Sequence, residues 1–216
     1  MKNRAFSILT ALLGFFVSCS PGKFDLQSGD ILFFVGKENS EFVNAIKKST
    51  SGGRDIAFSH AGIVEVARDS IFVIEATSPE GVIRTTLDDF MADALSENGK
   101  MFVAVGRLKP KYRSVIPRAV ENAKALLGNG YDYAYDEGNN AYYCSELIRF
   151  AFKDSVGSLI FPPVAMSFKN KETGQTEPYW IEHYQKLGVP IPEGKPGTNP
   201  ADMAKSSVID IVHTYY

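Results

Sequence analysis

The stretch Tyr142-Tyr143-Cys144-Ser145-Glu146-Leu147-Ile148-Arg149-Phe150 joins the end of a loop to the start of a helix. A thiol at a helix N-terminus faces unpaired backbone N–H groups and the positive end of the helix dipole. Both stabilise the thiolate, which is the nucleophilic form of cysteine. The stretch therefore predicts that Cys144 is a catalytic nucleophile, provided that the fold places a base beside it.

The composition limits the classes of function that the chain can have. It has 216 residues, 44% of them hydrophobic, which is enough for one domain with a sizeable core. A formal net charge of -2 argues against a strongly basic surface for nucleic acid. Cysteine and histidine do not show metal-ligand spacing, and no glycine loop for phosphate is present. We therefore expect neither a metal nor an organic cofactor.

The first residues have the pattern of a targeting segment. Lys2 and Arg4 precede an apolar run at 8–17 that is too short to span a membrane. Val17-Ser18-Cys19-Ser20 then resembles the lipobox of bacterial lipoprotein signal peptides. The resemblance implies cleavage of residues 1–18, a lipid on Cys19, a tether at 19–27 and a domain at 28–216. The protein is then expected in the cell envelope, anchored to a membrane and facing the periplasm or the exterior; the alternative is an ordinary secretory signal with an incidental cysteine.

The state of the two cysteines follows from this prediction. If Cys19 carries a lipid, Cys144 has no intramolecular partner. A free thiol in an oxidising compartment is a liability unless it has a task. The alternative is a disulfide between Cys19 and Cys144 that ties down the N-terminal arm.

One of the three histidines enters an apolar strand and is the predicted base. His60 stands in Phe58-Ser59-His60-Ala61-Gly62-Ile63-Val64, where a buried ring needs a hydrogen-bond partner. His183 falls within a polar amphipathic helix, and His213 lies beside the C-terminal tyrosines, so a structural role is favoured for both.

The turn between the strands at 60–66 and 71–76 decides which side chains meet. A four-residue turn at 67–70, or a two-residue turn at 68–69, places Gly62 opposite Glu75 and His60 opposite Thr77. Because side chains alternate along a strand, His60 and Glu75 then share a face as diagonal neighbours, about 7–8 Å apart. An odd-length loop would move Glu75 to the other face. We expect Glu75 to accept the imidazole N–H; the alternative is a surface glutamate on an edge strand.

Hydrophobic periodicity predicts a mixed chain of strands and helices. The fold class is α+β with an antiparallel sheet. Predicted strands lie at 31–35, 60–66, 71–76, 101–108 and 207–212, and predicted helices at 40–48, 86–94, 114–127, 144–153 and 178–187.

Four motifs, taken in order, resemble the YiiX-like permuted papain-like enzymes of the NlpC-type cysteine peptidase and amidase superfamily: Ser28-Gly29-Asp30-Ile31, Phe58-Ser59-His60-Ala61-Gly62, Val73-Ile74-Glu75-Ala76 and Tyr142-Tyr143-Cys144-Ser145-Glu146. The resemblance implies a circularly permuted papain-like fold, in which the antiparallel sheet packs against the helix that starts at Cys144. It also implies Cys144 as nucleophile, His60 as base and Glu75 as the third polar member.

The resemblance and the predicted location suggest a function. We expect a cysteine hydrolase that cleaves an amide bond through a thioester, acting on cell-wall peptides or related fragments. Tyr143, Thr77 and Asp30 are candidate substrate-binding residues, although Asp30 fits a turn-capping role better. Two alternatives stay open: a lipid-directed acyltransferase or thioesterase with the same triad, and a non-enzymatic binding lipoprotein.

Overall fold

The computed structural model describes residues 24–36, 40–50, 56–95 and 101–216. Its central element is a six-stranded antiparallel sheet with the strand order β10-β5-β1-β2-β3-β4. Two short strand pairs, β6 with β7 and β8 with β9, lie outside this sheet. The strands are β1 (Ile31–Phe34), β2 (His60–Ala67), β3 (Ser70–Thr77), β4 (Gly81–Thr86), β5 (Val103–Leu108), β6 (Gly130–Tyr131), β7 (Ala141–Tyr142), β8 (Val164–Ala165), β9 (Pro196–Gly197) and β10 (Ile209–Tyr215).

The helices are short, and a 3-10 helix at Pro110–Val115 leads into the third. Within the described ranges, no helix has the length and apolar character needed to cross a membrane. The α-helices are α1 (Glu41–Thr50), α2 (Leu87–Asp93), α3 (Ile116–Ala125), α4 (Cys144–Ala151), α5 (Pro178–Leu187) and α6 (Pro200–Ala204).

Both faces of the sheet are covered, which is why β1 is buried along its whole length. On one face, Ile31 and Phe33 join a core that includes Leu147 and Ile148 of α4. The opposite face forms a second core around Leu32, Phe34, Val64, Val73 and Phe90. α4 packs directly on β2 and β3. The α+β fold class and the packing of the Cys144 helix on the sheet are therefore confirmed.

The β2–β3 hairpin has the predicted register. Gly62 pairs with Glu75, Val64 with Val73 and Val66 with Ile71. The strands end at Ala67 and resume at Ser70, so the turn contains the two residues 68 and 69. The register places the side chains of His60 and Glu75 on one face of the sheet.

A smaller aromatic cluster lies outside the two main cores. It joins α1 to α5 through Ala45, Trp180 and Tyr184, and Phe168 packs between them. Trp180 and Phe168 meet edge to face with their ring centroids 5.2 Å apart. This cluster supplies a second wall opposite the sheet and α4, and the candidate site lies between them.

The end of the segment predicted as a tether is part of the fold. Leu26 is 4% exposed and belongs to the second core. Phe24 stacks on His213 with ring centroids 4.3 Å apart. Residues 24–27 therefore pack against the sheet, while the signal peptide at 1–18 and Cys19 lie outside the described residues.

The structure also contains elements that periodicity did not predict. β4 extends the sheet beyond β3, and β8, β9 and α6 organise a region of the chain rich in proline and glycine. The helix predicted at 114–127 is shorter, because Pro110–Val115 forms a 3-10 helix before α3 begins. The β8–β9 pair joins segments about 30 residues apart, which a local pattern does not contain, whereas β4 follows β3 after a short turn and was simply not recognised.

Gly62 is required by close packing at the hairpin. A Cβ atom at this position would overlap Val73 Cγ1 and lie 3.0 Å from Phe90 Cε2. We therefore expect Gly62→Ala to lower the free energy of unfolding by about 1–3 kcal/mol, the usual effect of overpacking a core. The matched control is Gly130→Ala, because no heavy atom lies within 4 Å of the added Cβ there. Denaturant unfolding of both variants checks this, and equal stabilities would contradict it.

Candidate active site

Cys144 is the first residue of α4, so its backbone N–H has no acceptor within the helix. The preceding residue, Tyr143, is extended, with φ -93 and ψ 167. Cys144 is a free thiol and is 6% exposed. Its Sγ lies 4.0 Å from the carbonyl oxygen of Ser59, the residue before His60. The sulfur is therefore held beside the beginning of β2.

His60 and Glu75 form a close pair on the sheet. His60 Nε2 lies 2.6 Å from Glu75 Oε2, and their side chains are 17% and 6% exposed. The side chain of Cys144 also interacts with the ring and raises the pKa of His60. Nε2 is bound to Glu75, which leaves Nδ1 as the nitrogen available to the thiol. The three side chains that the sequence predicted as a triad thus form a row in which the imidazole interacts with both of the others.

The surroundings of His60 determine its charge. Burial lowers the pKa of the ring, but the hydrogen bonds with Cys144 and Glu75 and the negative charges of both raise it by more, to about 10. Phe34 and Phe90 flank the ring, with centroid distances of 4.9 and 5.8 Å. At neutral pH the ring is therefore a positively charged imidazolium, paired with Glu75 and packed against two aromatic rings.

A cavity opens beside Cys144 between α4 and the aromatic cluster. Its walls are mostly aromatic and apolar, with hydroxyl and amide groups in the minority. The lining residues are Phe42, Ile46, Ser49, Thr50, Ser59, Tyr131, Tyr135, Tyr143, Cys144, Ser145, Met166, Ser167, Phe168, Trp180, Thr198, Asn199 and Pro200. Cys144 is thus the reactive group at one side of a largely apolar chamber.

Two tyrosines that precede α4 line the cavity together with Cys144. The rings of Tyr131 and Tyr135 meet edge to face with their centroids 6.4 Å apart. Burial raises the pKa of both hydroxyls, and the charge of Cys144 raises each further. Both hydroxyls therefore stay protonated and can donate hydrogen bonds. Both belong to a tyrosine-rich loop at residues 131–143, and the sequence analysis did not single them out.

Tyr143, a predicted substrate-binding residue, lines the cavity but is already hydrogen-bonded. It is 3% exposed, and its hydroxyl accepts the Thr198 N–H at 3.1 Å. The same hydroxyl donates to Met166 Sδ at 3.8 Å. Tyr143 therefore connects the start of α4 to the chain around β8 and β9 and supports the cavity wall.

The other two predicted substrate-binding residues lie away from the cavity. Asp30 is 1% exposed and receives two hydrogen bonds from Arg107, both 2.7 Å long. Its carboxylate also caps the Gln27 N–H at 2.8 Å. Thr77 pairs with Gly81 in the β3–β4 ladder. Neither is among the lining residues that the structure describes, so their geometry indicates a structural role.

The remaining histidines have structural contacts. His183 Nε2 donates to the carbonyl oxygen of Tyr133 at 2.7 Å, and this bond ties α5 to the tyrosine-rich loop. His213 stacks on Phe24. Within the described parts of the chain, no group of three or more His, Cys, Asp or Glu residues could hold a metal ion.

The fold and this row of side chains define the class of protein: a papain-like thiol protein in which histidine precedes cysteine along the chain, the order that circular permutation produces. A family model described as "Permuted papain-like amidase enzyme, YaeF/YiiX, C92 family" matches residues 25–213. The chain belongs to this family, as the motifs at Asp30, His60, Glu75 and Cys144 indicated.

Two individual comparisons agree with this assignment. The chain is 25% identical over 195 residues to an uncharacterized protein, YiiX of Escherichia coli K12, covering 89% of this chain and 87% of that protein. It also resembles the crystal structure of YiiX from Escherichia coli O157:H7, which is described as a metalloprotein. That likeness has a TM-score of 0.68 and 23% identity and covers 88% of this chain and 98% of the other. It supports the fold.

The contact between His60 and Glu75 makes the charge of the ring depend on the carboxylate. Replacing Glu75 by Gln removes a charge 2.6 Å from Nε2, so we expect the pKa of His60 to fall by about 1 to 3 pH units. Nitrogen NMR of histidine-labelled protein measures this. Glu65→Gln is the control, because Glu65 is also buried on the hairpin but is bound to Arg84. An unchanged pKa of His60 in Glu75→Gln would show that the carboxylate does not set the charge of the ring.

Proposed function

We propose that this protein is an amide hydrolase in which Cys144 is the nucleophile, His60 the general base and acid, and Glu75 the group that orients the ring. The observation that carries the proposal is the row of side chains, with Glu75 bound to one ring nitrogen and Cys144 at the other. An activated nucleophile, a base and a third group that orients the base form the arrangement that covalent catalysis requires.

The proposed reaction has two halves. His60 holds the proton that Cys144 has given up, and the thiolate attacks the carbonyl carbon of the amide. As the tetrahedral intermediate collapses, the C–N bond breaks and His60 Nδ1 donates its proton to the leaving nitrogen. His60 then takes a proton from water, which attacks the thioester and releases the acid. Glu75 stabilises the imidazolium in both halves.

The oxyanion needs hydrogen-bond donors beside the sulfur. The Cys144 N–H is one, because it is unpaired within α4 and points from the positive end of the helix. The hydroxyl of Tyr131 or Tyr135 is our candidate for the second, because both line the cavity and interact with the charge of Cys144.

The substrate that we propose is a cell-wall peptide or a fragment of one. Two considerations support it: the family is described as an amidase, and the N-terminal sequence resembles that of an exported lipoprotein. A lipid on Cys19 would hold the domain at a membrane of the cell envelope, close to such substrates. The activity proposed for the domain does not depend on this anchor.

The lining of the cavity favours one alternative, a lipid-directed acyltransferase or thioesterase with the same triad. Phe42, Ile46, Phe168 and Trp180 form an apolar wall that suits an acyl chain. Incubation with muropeptides and, separately, with phospholipids distinguishes the two functions by the mass of the released product. Cleaved muropeptide supports the amidase, whereas transferred or released fatty acid supports the alternative.

Replacing the nucleophile tests the mechanism. We expect Cys144→Ala to lower turnover on the order of 10³-fold or more, because the thioester can no longer form. The free energy of unfolding should change far less than activity, and denaturant unfolding measures this. A Cys144→Ala variant with near wild-type turnover would refute the proposed mechanism.

The reactivity of the thiol separates an enzyme from a binding protein without knowledge of the substrate. We expect iodoacetamide to alkylate Cys144 in the folded protein at pH 7, and about tenfold or more slowly in His60→Gln, because the imidazolium stabilises the thiolate. His213→Gln is the matched control, since His213 stacks on Phe24. Equal rates in the wild type and His60→Gln would favour a non-enzymatic binding role.

A further inference from the structure

The first turn of α4 buries a carboxyl group that the proposed reaction does not use. Glu146 is 0% exposed, two residues after the nucleophile. Its Oε2 accepts the backbone N–H of Tyr143 at 3.3 Å. Its Oε1 has no hydrogen-bond partner among the residues that the structure describes. A buried polar atom without a partner is costly, so the position of this side chain needs an explanation.

The bond from Tyr143 to Glu146 controls how the chain enters the helix. Tyr143 is held at its nitrogen by Glu146, and its carbonyl oxygen accepts the Leu147 N–H at 3.0 Å. Fixing both ends of this residue fixes its backbone dihedral angles, and therefore the direction of the next peptide N–H, which belongs to Cys144. Glu146 thus acts on the proposed oxyanion donor and on the thiol through Tyr143.

The charged groups near Glu146 do not offer it a free counter-charge. Asp132 and Glu137 face it from the preceding loop, and both oppose a negative charge on it. Arg149, on its own helix, binds Glu137 and the carbonyl oxygen of Phe161 instead. The phenols of Tyr142 and Tyr143 also face it.

These surroundings favour the neutral form of the carboxyl group. Burial raises the pKa of Glu146 to about 8; the Tyr143 N–H and Arg149 lower it, and the charges of Asp132 and Glu137 raise it. At pH 7 the group is mainly protonated. Ionisation would place an uncompensated charge beside two carboxylates in the interior.

We propose that Glu146 is a positioning residue: its carboxyl oxygen holds the Tyr143 N–H, and through Tyr143 it fixes the N–H and the thiol of Cys144. The inference rests on the proposed function only where turnover is measured. Thiol reactivity and stability test it independently of any substrate.

The stability of the fold gives the first readout. An unfolded glutamate loses its proton near pH 4.5, whereas folded Glu146 keeps its proton up to about pH 8. Between these values unfolding releases a proton, so the free energy of unfolding falls as pH rises and levels off above 8. Glu146→Gln keeps an acceptor for the Tyr143 N–H and has no ionisation. We expect its stability relative to the wild type to increase from pH 4.5 to 8 and then stay constant.

Thiol reactivity gives the second readout. We expect Glu146→Gln and the wild type to have similar iodoacetamide rates at pH 7, because glutamine keeps an acceptor for the Tyr143 N–H. Glu146→Leu, which lacks the acceptor, should react more slowly than either. Glu65→Gln is the matched buried control and should react at the wild-type rate.

Three results would overturn the inference. One is a stability difference between the wild type and Glu146→Gln that does not change between pH 4.5 and 8, because the buried carboxyl group would then not be held in place in the folded protein. Another is a folded Glu146→Gln protein whose thiol is unreactive at pH 7. The third is wild-type reactivity in Glu146→Leu. If Glu146→Leu does not fold, the reactivity and the stability profile of Glu146→Gln still decide. A normal alkylation profile in protein without amidase activity would count against the proposed function and leave the role of Glu146 intact.

Discussion

The contact between His60 and Glu75 is the constraint on which the rest of the site depends. It joins two residues of one hairpin at 2.6 Å, and it exists only because the turn of that hairpin keeps both side chains on the same face. Gly62 lies directly opposite Glu75 and leaves the space that Val73 and Phe90 fill beside the pair. The carboxylate of Glu75 stabilises a positive charge on the buried ring. The helix that begins at Cys144 places a thiol near this charge, which stabilises a thiolate.

The second half of the site is made by segments that close over the sulfur. The tyrosine-rich loop, the β8–β9 pair and the cluster between α1 and α5 form an aromatic wall across from α4. Tyr143 joins the two halves, since its backbone begins the helix and its hydroxyl is bound to the segment after β9. Water is largely excluded from such a chamber, which strengthens each electrostatic interaction within it. Because this wall is apolar, the cavity suits both an amide substrate with an apolar substituent and an acyl lipid.

Local sequence patterns predicted the features that depend on residues close together in the chain. Alternation and an even turn were enough for the hairpin register, and the loop-to-helix pattern was enough to place Cys144 at the start of α4. Contacts between distant segments were not predictable in this way. Asp30 looked like a turn residue with a chance of meeting substrate, but its partner is Arg107, 77 positions away. Tyr131 and Tyr135 were not distinguished from their neighbours, because their place in the cavity depends on segments remote in the chain. β4 was also missed, although it forms a hairpin with the strand just before it. Glu146 was read only as part of a motif, because its complete burial is a property of the folded protein.

In the proposed mechanism, Cys144 carries the acyl group of the substrate during turnover. Rapid acid quenching of the protein with an amide substrate, followed by digestion and mass measurement, detects this intermediate. We expect an acyl mass on the peptide that contains Cys144, which accumulates before product and disappears when substrate is exhausted. Turnover at a normal rate without any acyl mass on that peptide, or with the acyl group on another residue, would contradict it.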